Sequence, residues 1–228
     1  TRFYIPLLLQ GFSQSLAYPL VAGIVTHGQH GVDALTAFSQ GQMVMFMIGA
    51  IGGGLITTGL VFAKTWMGYV AFKRLNALMM AALLAVQCIV AMPPFSGWIF
   101  SGLFNLPAEL AHIASRTLLF ATVMNGLFFL RNVPMVVLFN NLDSAKANYA
   151  TLIRLAVTFA LAFFFPKFGL IGPWWGLGAL TFGVGVELVA TWLFARPYVA
   201  QLPNRPKTED TRSLPNIPRL TLEQFRFT

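Results

Sequence analysis

The chain has 228 residues, of which 57% are hydrophobic and only 10% are charged, and its mean hydropathy is +0.70. Soluble domains carry about 25% charged residues, so this composition excludes an ordinary water-covered globular surface. The net charge of +8 does not indicate nucleic-acid binding, because the basic residues are divided among short segments between apolar runs.

Six apolar runs follow one another along the chain, each long enough to cross about 30 Å of hydrocarbon. A membrane-crossing segment must satisfy its own backbone hydrogen bonds, so each run predicts an α-helix. The predicted spans are residues 3–26, 36–63, 75–94, 116–139, 148–166 and 170–195. The predicted fold class is therefore all-α: a polytopic membrane protein with a six-helix transmembrane domain over residues 1–198.

Two segments outside the predicted spans have compositions of their own. Residues 93–116 are amphipathic, which predicts that they lie partly in the outer membrane interface. Residues 199–228 contain Pro203, Pro206, Pro215 and Pro218 among mixed charges. This composition cannot build a core, so it predicts an extended polar cytoplasmic tail that can dock on a partner.

Amide side chains occur in several of the spans. Gln10 and Gln14 are four residues apart in the first span and share a helical face, while Asn125 and Asn132 are seven apart in the fourth. Such amides either hydrogen-bond between helices or line a polar cavity. Because several helices contribute amides, both interpretations stay open.

Small residues in the second and sixth spans predict close helix packing, because helices in lipid associate through close backbone approach. Gly49 and Gly53 are four residues apart in the second span. Gly172, Gly176 and Gly183 give the sixth span a similar stripe.

Two ionisable residues, Arg131 and Glu187, lie deep within predicted spans. A charge at such a position costs roughly 3 kcal/mol on insertion scales, so each should face the bundle interior and find a partner. Glu187 follows Gly183 by one helical turn, which places it near the small-residue face. The pattern predicts an Arg131–Glu187 ion pair, which either fixes helix register or binds an anionic substrate or a proton.

The positive charge is distributed unequally between the two sides of the membrane. One side carries twelve basic residues and the other carries only Arg116 and Lys167, which predicts that both termini are cytoplasmic in a cell (inner) membrane. The twelve are Arg2, Lys64, Lys73, Arg74, Lys146, Arg154, Arg196, Arg205, Lys207, Arg212, Arg219 and Arg226.

Catalytic and metal-binding signatures are absent from the sequence. There is no P-loop, G-x-S-x-G, HExxH or paired CxxC, and the single Cys88 can form no intramolecular disulfide. His27, His30 and Asp33 have a spacing compatible with metal binding, but a polar loop explains them as well. The sequence therefore predicts no enzyme, no cofactor and no metal site.

Three stretches resemble a known superfamily of exporters. The residues "IPLLLQGFSQSLAYPLVAGIVTHGQHGVDALTAFSQGQMVMFMIGAIGGGLITTG" resemble the first two helices of a half-unit of the multidrug/oligosaccharidyl-lipid/polysaccharide (MOP, MATE-like) exporters. The stretches "IFSGLFNLPAELAHIASRTLLF" and "FPKFGLIGPWWGLGAL" are similar to the superfamily's links into its fourth and sixth helices. The resemblance implies one half of a transporter fold and export of an amphipathic or anionic solute.

Within that superfamily, the likeness is greatest to the progressive ankylosis (ANK-like) branch. It rests on the "GLVF" stretch at residues 59–62 and, more loosely, on residues 169–172, 177–180 and Glu187. The branch has glycine where this chain has Val186. Glu187 is the one candidate functional position that the resemblance carries over.

Two functional interpretations follow, because superfamily members have twelve or more helices and this chain has half as many. Two copies inserted in the same orientation could form a gradient-driven homodimeric half-transporter or flippase. Alternatively, the chain is a non-transporting accessory subunit of a larger respiratory or photosynthetic membrane complex, with its tail docked on a partner. A third interpretation is that the chain is part of a longer protein.

Overall fold

The computed structural model describes residues 16–203, and all of its regular elements are helical. The all-α prediction is thus confirmed over this part of the chain. In chain order the elements are α1 (Leu16–Thr26), α2 (Gly31–Phe62), α3 (Trp66–Ala91), the short turn α4 (Phe95–Gly97), a π-helical turn (Trp98–Leu103), α5 (Ala108–Asn140), α6 (Ser144–Lys167) and α7 (Pro173–Ala200).

Five helices of residues 16–203, rather than the six predicted, are long and apolar enough to cross a membrane: α2, α3, α5, α6 and α7. The shortest of them, α6, has 24 residues and is therefore about 36 Å long. The described part of the first predicted span, Leu16–Thr26, is only about 16 Å long and too short to cross. The rest of that predicted span lies outside the described residues.

The outer surface of the bundle is apolar on every long helix. Large side chains that are more than half exposed include Met47 on α2, Leu78 on α3, Val123 on α5, Phe159 on α6 and Leu193 on α7. A soluble monomer rarely exposes so much apolar surface. Surface and helix lengths together indicate a multi-pass membrane protein whose solvent is the lipid bilayer.

Local sequence signals explain where the long helices begin. The Thr65 hydroxyl accepts a hydrogen bond from the Gly68 N–H at 3.2 Å and caps α3. The Asp143 carboxylate caps α6 in the same way, accepting from the Lys146 N–H at 3.3 Å. Pro173 occupies the first turn of α7, where its missing N–H leaves no helical bond unmade.

A polar cluster closes the end of the bundle where α5 turns into α6. The Asp143 carboxylate lies 2.8 Å from Lys146 Nζ and accepts a hydrogen bond from the Tyr198 hydroxyl at 2.6 Å. Partial burial raises the pKa of Asp143, but the hydrogen bonds from Lys146 and Tyr198 outweigh this effect and hold the pKa below its ordinary value. The cluster therefore ties the start of α6 to the last turns of α7.

Helix α5 is the central element of the bundle, and it packs against α2, α3 and α7, while α6 packs on α7. Nine consecutive residues, 131–139, are buried, so α5 is surrounded on all sides at this level. Arg131 lies at the start of this enclosed segment. A basic side chain there is almost entirely enclosed and must find most of its partners inside the protein.

The described part of the chain ends shortly after α7. Helix α7 continues to Ala200, and the Pro203 carbonyl accepts a hydrogen bond from the Trp66 N–H at 3.0 Å, against the start of α3. The remaining tail residues lie outside the described part of the chain. Docking of the tail on a partner stays a prediction.

Candidate functional site

Glu187 is the centre of a buried ion cluster that joins three helices. Its Oε2 lies 2.8 Å from Arg131 Nη1 of α5 and 3.1 Å from Arg154 Nη1 of α6. Its Oε1 accepts a hydrogen bond from the Thr151 hydroxyl at 2.7 Å. Glu187 itself is fully buried, so these three side chains replace the water that a carboxylate would otherwise bind. The Arg131–Glu187 pair expected from the sequence is present.

Gly183 lets α6 approach α7 closely enough to form this cluster. A Cβ built on Gly183 would collide with Thr158 Oγ1 and would lie 3.2 Å from Arg154 Cγ. Gly183 precedes Glu187 by one helical turn, so the absent side chain leaves room for the Arg154 stem beside the carboxylate. The close approach of the two helices thus places a second guanidinium on Glu187.

Gly183→Ala is therefore expected to destabilise the bundle by about 1–3 kcal/mol, because the added methyl must displace Thr158 or Arg154. Gly185→Ala is the matched control on the same helix, since its nearest atom, Leu127 Cδ1, lies at an ordinary 3.9 Å. Unfolding midpoints of the two purified variants in mixed micelles provide the measurement. Equal midpoints would show that this helix contact is not tightly packed.

Arg154 is the site residue that sequence reasoning missed. The positive-charge pattern assigned it to a cytoplasmic segment, but it lies ten residues into α6 and is only 2% exposed. The signal that identifies it is the buried stripe of small and polar residues on α6, formed by Ala147, Ala150, Thr151, Arg154 and Thr158. Eleven of the twelve residues remain in the charge pattern, so the orientation prediction is unchanged.

The cluster carries an excess positive charge, because two guanidinium groups share one carboxylate. Arg131 Nε, Arg154 Nε and Arg154 Nη2 are buried and have no hydrogen-bond partner within the part of the chain that the structure describes. A buried cation with donors to spare is a favourable neighbour for an anion. An anion could bind to this cluster if a cavity gave it access to one of the two arginines.

Arg131 lines a cavity of about 390 Å³ between α2 and α5. Asn125 and Asn132 of α5 also line it, so three of the residues expected to bind a solute share one space. Glu187 does not line the cavity and lies behind Arg131 in the cluster. The remaining lining is small or apolar and comprises Phe46, Gly49, Ala50, Gly52, Gly53, Ile56, Phe128, Phe129, Met135 and Phe139.

The two asparagines also connect helices. Asn125 donates a hydrogen bond to Gln87 Oε1 of α3 at 2.7 Å, and Gln87 in turn donates to the Leu118 carbonyl at 2.9 Å. Asn132 donates to the Gly52 carbonyl of α2 at 2.8 Å. These bonds fix the amides in place while each side chain still borders the cavity. From the sequence, the amides could either hydrogen-bond between helices or line a polar cavity. In the structure these two asparagines do both.

Gly49 and Gly53, the predicted packing pair of α2, have different environments. A Cβ on Gly49 would lie 2.7 Å from Asn125 Oδ1, and one on Gly52 would lie 2.8 Å from the Phe129 ring. A Cβ on Gly53 would meet nothing within 4 Å, and Gly53 borders the cavity. Gly53 therefore keeps the cavity open instead of packing a helix, contrary to the sequence interpretation.

On α7 the stripe also divides. Gly176 packs closely on α1, since its Cβ would lie 2.6 Å from Val25 Cγ2. Gly172 precedes the helix at φ 105°, a backbone conformation that favours glycine, and its N–H donates to the Ile24 carbonyl at 2.8 Å. Gly172 is thus a turn residue and not a helix-packing residue.

The other sequence candidates lie away from the cluster or outside the described chain. Gln10 and Gln14 fall outside the described residues. His30 Nε2 lies 3.3 Å from Glu109 Oε1, which links the α1–α2 turn to the start of α5. No group of three or more His, Cys, Asp or Glu side chains within residues 16–203 is arranged to hold a metal ion.

No protein-family model, curated protein sequence or solved structure matches this chain. Its function is therefore inferred from the site itself.

Proposed function

We propose that this membrane protein is a transport protein, and that the cavity between α2 and α5 accepts the anionic group of an amphipathic or anionic solute. The observation that carries the proposal is the exposure of Arg131 to this cavity while it belongs to a buried cluster with excess positive charge. A membrane protein maintains an intramembrane cation facing a cavity at considerable cost, and such residues commonly mark solute pathways.

The lining suits a molecule with one charged end and an apolar body. Arg131 offers guanidinium donors to a carboxylate, sulfonate or phosphate, and the amides of Asn125 and Asn132 line the same cavity. Phe46, Phe128 and other aromatic side chains provide the apolar wall. A binding pocket with an apolar lining and a few convergent polar groups has the general character of a small-molecule site.

Glu187 has a different role in this proposal from the one that the sequence suggested. Both of its oxygens are occupied by Arg131, Arg154 and Thr151, and it does not border the cavity. We assign it the role of a positioning residue, which anchors the Arg131 side chain and partly compensates its charge. Arg154 supplies the second positive charge that keeps the cluster attractive to an anion.

The transporter assembly we propose has two copies of the chain in the same orientation. The resemblance to two-lobed MOP exporters, and the distribution of basic residues with both termini on the cytoplasmic side of an inner membrane, support this arrangement. A two-fold axis along the membrane normal would bring two cavities to face each other. An ion or proton gradient would drive transport, since the sequence contains no nucleotide-binding motif.

Reconstitution tests this proposal. Proteoliposomes loaded with carboxyfluorescein, an anionic amphipathic dye, are expected to release it faster than protein-free vesicles when a proton or sodium gradient is imposed. A flippase would instead equilibrate a fluorescent phosphatidylglycerol between leaflets, which dithionite quenching measures. Permeation equal to that of protein-free vesicles in both assays would refute transport for these two solute classes.

An accessory-subunit role is the second candidate, and one observation favours it. Hydrogen bonds between helices are formed by Asn125, Asn132 and Glu187, as expected of a purely structural bundle. The native mass and composition of the particle purified in mild detergent discriminate between the two. A stoichiometric larger complex would favour the accessory role, and an isolated dimer would favour the transporter.

A further inference from the structure

A second concave surface lies between α5 and α7, separate from the cavity that Arg131 lines. This α5/α7 groove has a volume of about 680 Å³ and opens to the outside of the bundle. Leu177 is buried beneath it, whereas Phe120, Val123 and Phe182 are more than half exposed at its sides. A Cβ on Gly178 would meet nothing within 4 Å, so this glycine leaves part of the groove empty.

One end of the groove is marked by a cation and an indole ring. Arg116 and Trp174 both line it, and the Trp174 ring meets the Phe120 ring edge-to-face with centroids 5.2 Å apart. Arg116 is exposed, and none of the ion pairs formed among residues 16–203 includes it. Tryptophan favours the headgroup boundary of a bilayer, so Arg116 lies near headgroup level.

The groove extends along most of the depth of one leaflet. Arg116 and Val123 are about 10 Å apart along α5, and Trp174 and Phe182 are about 12 Å apart along α7. Half of the hydrocarbon thickness is about 15 Å. A chain entering beside Arg116 would therefore remain in contact with the groove through most of its leaflet.

We infer that the α5/α7 groove binds one anionic phospholipid, with its phosphate at Arg116 and an acyl chain lying over Leu177 and Gly178. The single cation at the headgroup end and the apolar remainder give the charge complementarity that selects this ligand. A second copy of this chain fits less well, because a two-fold axis along the membrane normal keeps each residue at its own depth. Contact of two copies across the groove would oppose Arg116 to Arg116.

This inference is independent of the proposed transport function, since the groove shares no lining residue with the Arg131 cavity. A protein that fails to transport could still retain the lipid. A protein that transports could equally lack it.

Native mass spectrometry of the full chain in micelles containing equimolar dioleoylphosphatidylglycerol and dioleoylphosphatidylcholine tests the headgroup end. The wild type is expected to retain phosphatidylglycerol in preference. Arg116→Gln is expected to reduce that preference roughly fivefold, the effect of one basic residue near a membrane surface. Arg196→Gln, which removes an exposed cation from the last turns of α7, is the control and should leave the preference unchanged. An equal effect of both variants would overturn a specific site.

Gly178→Leu tests the acyl-chain end, because its side chain fills the empty part of the groove. Retention of both lipids should fall, whereas Gly54→Leu, at an exposed glycine of α2 whose Cβ also meets nothing within 4 Å, should have no effect. Unchanged retention in Gly178→Leu would overturn the proposal. Loss of a dimer in this variant, with lipid retention intact, would assign the groove to a second copy and overturn it equally.

If Gly178→Leu fails to fold, quenching of Trp174 fluorescence by brominated lipids tests the proposal without a groove-filling variant. The fluorescence that Trp174 contributes is the difference between the wild type and Trp174→Phe in vesicles. Brominated phosphatidylglycerol should quench that contribution more strongly than brominated phosphatidylcholine, and Arg116→Gln should remove the difference. Equal quenching by the two lipids in the wild type would contradict binding of an anionic headgroup at Arg116.

Discussion

Glu187→Gln is expected to lower the free energy of unfolding by about 3–5 kcal/mol. The change leaves the shape of the side chain almost intact but removes the one carboxylate among residues 16–203 that pairs with Arg131 and Arg154. Two buried guanidinium groups would then repel each other in a medium of low dielectric constant. Equilibrium unfolding in mixed micelles, followed by tryptophan fluorescence, measures the difference.

The control for this prediction removes all three charges together. A variant carrying Arg131→Met, Arg154→Met and Glu187→Leu should recover most of the lost stability, because replacing a whole buried ion cluster by apolar side chains is often neutral or stabilising. If Glu187→Gln lost less than 1 kcal/mol, the cluster would not be a desolvated ion site. The triple variant should nevertheless lose transport, since it removes the cation from the cavity.

Gly53→Leu is expected to reduce solute flux at least tenfold. Gly53 borders the Arg131 cavity, and a Cβ built on it would meet no atom within 4 Å. A leucine side chain would therefore occupy the space proposed for the solute without displacing protein atoms. A helix gains propensity when leucine replaces glycine, which protects the fold of the variant. Release of carboxyfluorescein from proteoliposomes under a gradient measures the effect.

Gly54→Leu is the matched control on the next residue of α2. A Cβ built on Gly54 would also meet no atom within 4 Å, but Gly54 does not border the cavity. Wild-type flux in Gly54→Leu together with blocked flux in Gly53→Leu assigns the pathway to the cavity. Identical flux in the two variants would move the pathway elsewhere in the protein.

The sequence predicted the spans and the Arg131–Glu187 pair for reasons that are local. Hydropathy over about 20 residues identifies a span without any knowledge of neighbouring helices. The cost of an unpaired charge in lipid requires Arg131 and Glu187 to find partners, and few other buried charges were available. The first span is the exception, because only Leu16–Thr26 of it lies within the described residues.

Arg154 was missed because its position depended on a helix boundary. The sequence placed the start of this span at residue 148, which made Arg154 a residue of the membrane edge. The Asp143 cap starts α6 at Ser144 and moves Arg154 a further turn into the bundle. The boundary error of four residues thus caused a site residue to be interpreted as a topology signal.

The roles of the glycines depended on tertiary contacts that spacing cannot encode. Gly49 and Gly53 differ by four residues and lie on similar helical faces, yet Gly49 packs on Asn125 while Gly53 borders open space. The two helices stay close on both sides of Gly53, since a Cβ on Gly52 or Gly59 would again meet a side chain of α5. Periodicity places residues on a face, whereas only packing determines whether that face is filled.

Water access to the Arg131 cavity is the most direct test of the proposed function. In a Cys88→Ala background, Gly53→Cys and Gly54→Cys proteins in lipid vesicles would be treated with a membrane-impermeant thiol reagent, which needs water to react. A water-filled solute cavity predicts labelling of Gly53→Cys, protection of it by an anionic amphiphile, and little labelling of Gly54→Cys. An unreactive Gly53→Cys, or equal labelling of both positions without protection, would contradict a solute pathway beside Arg131.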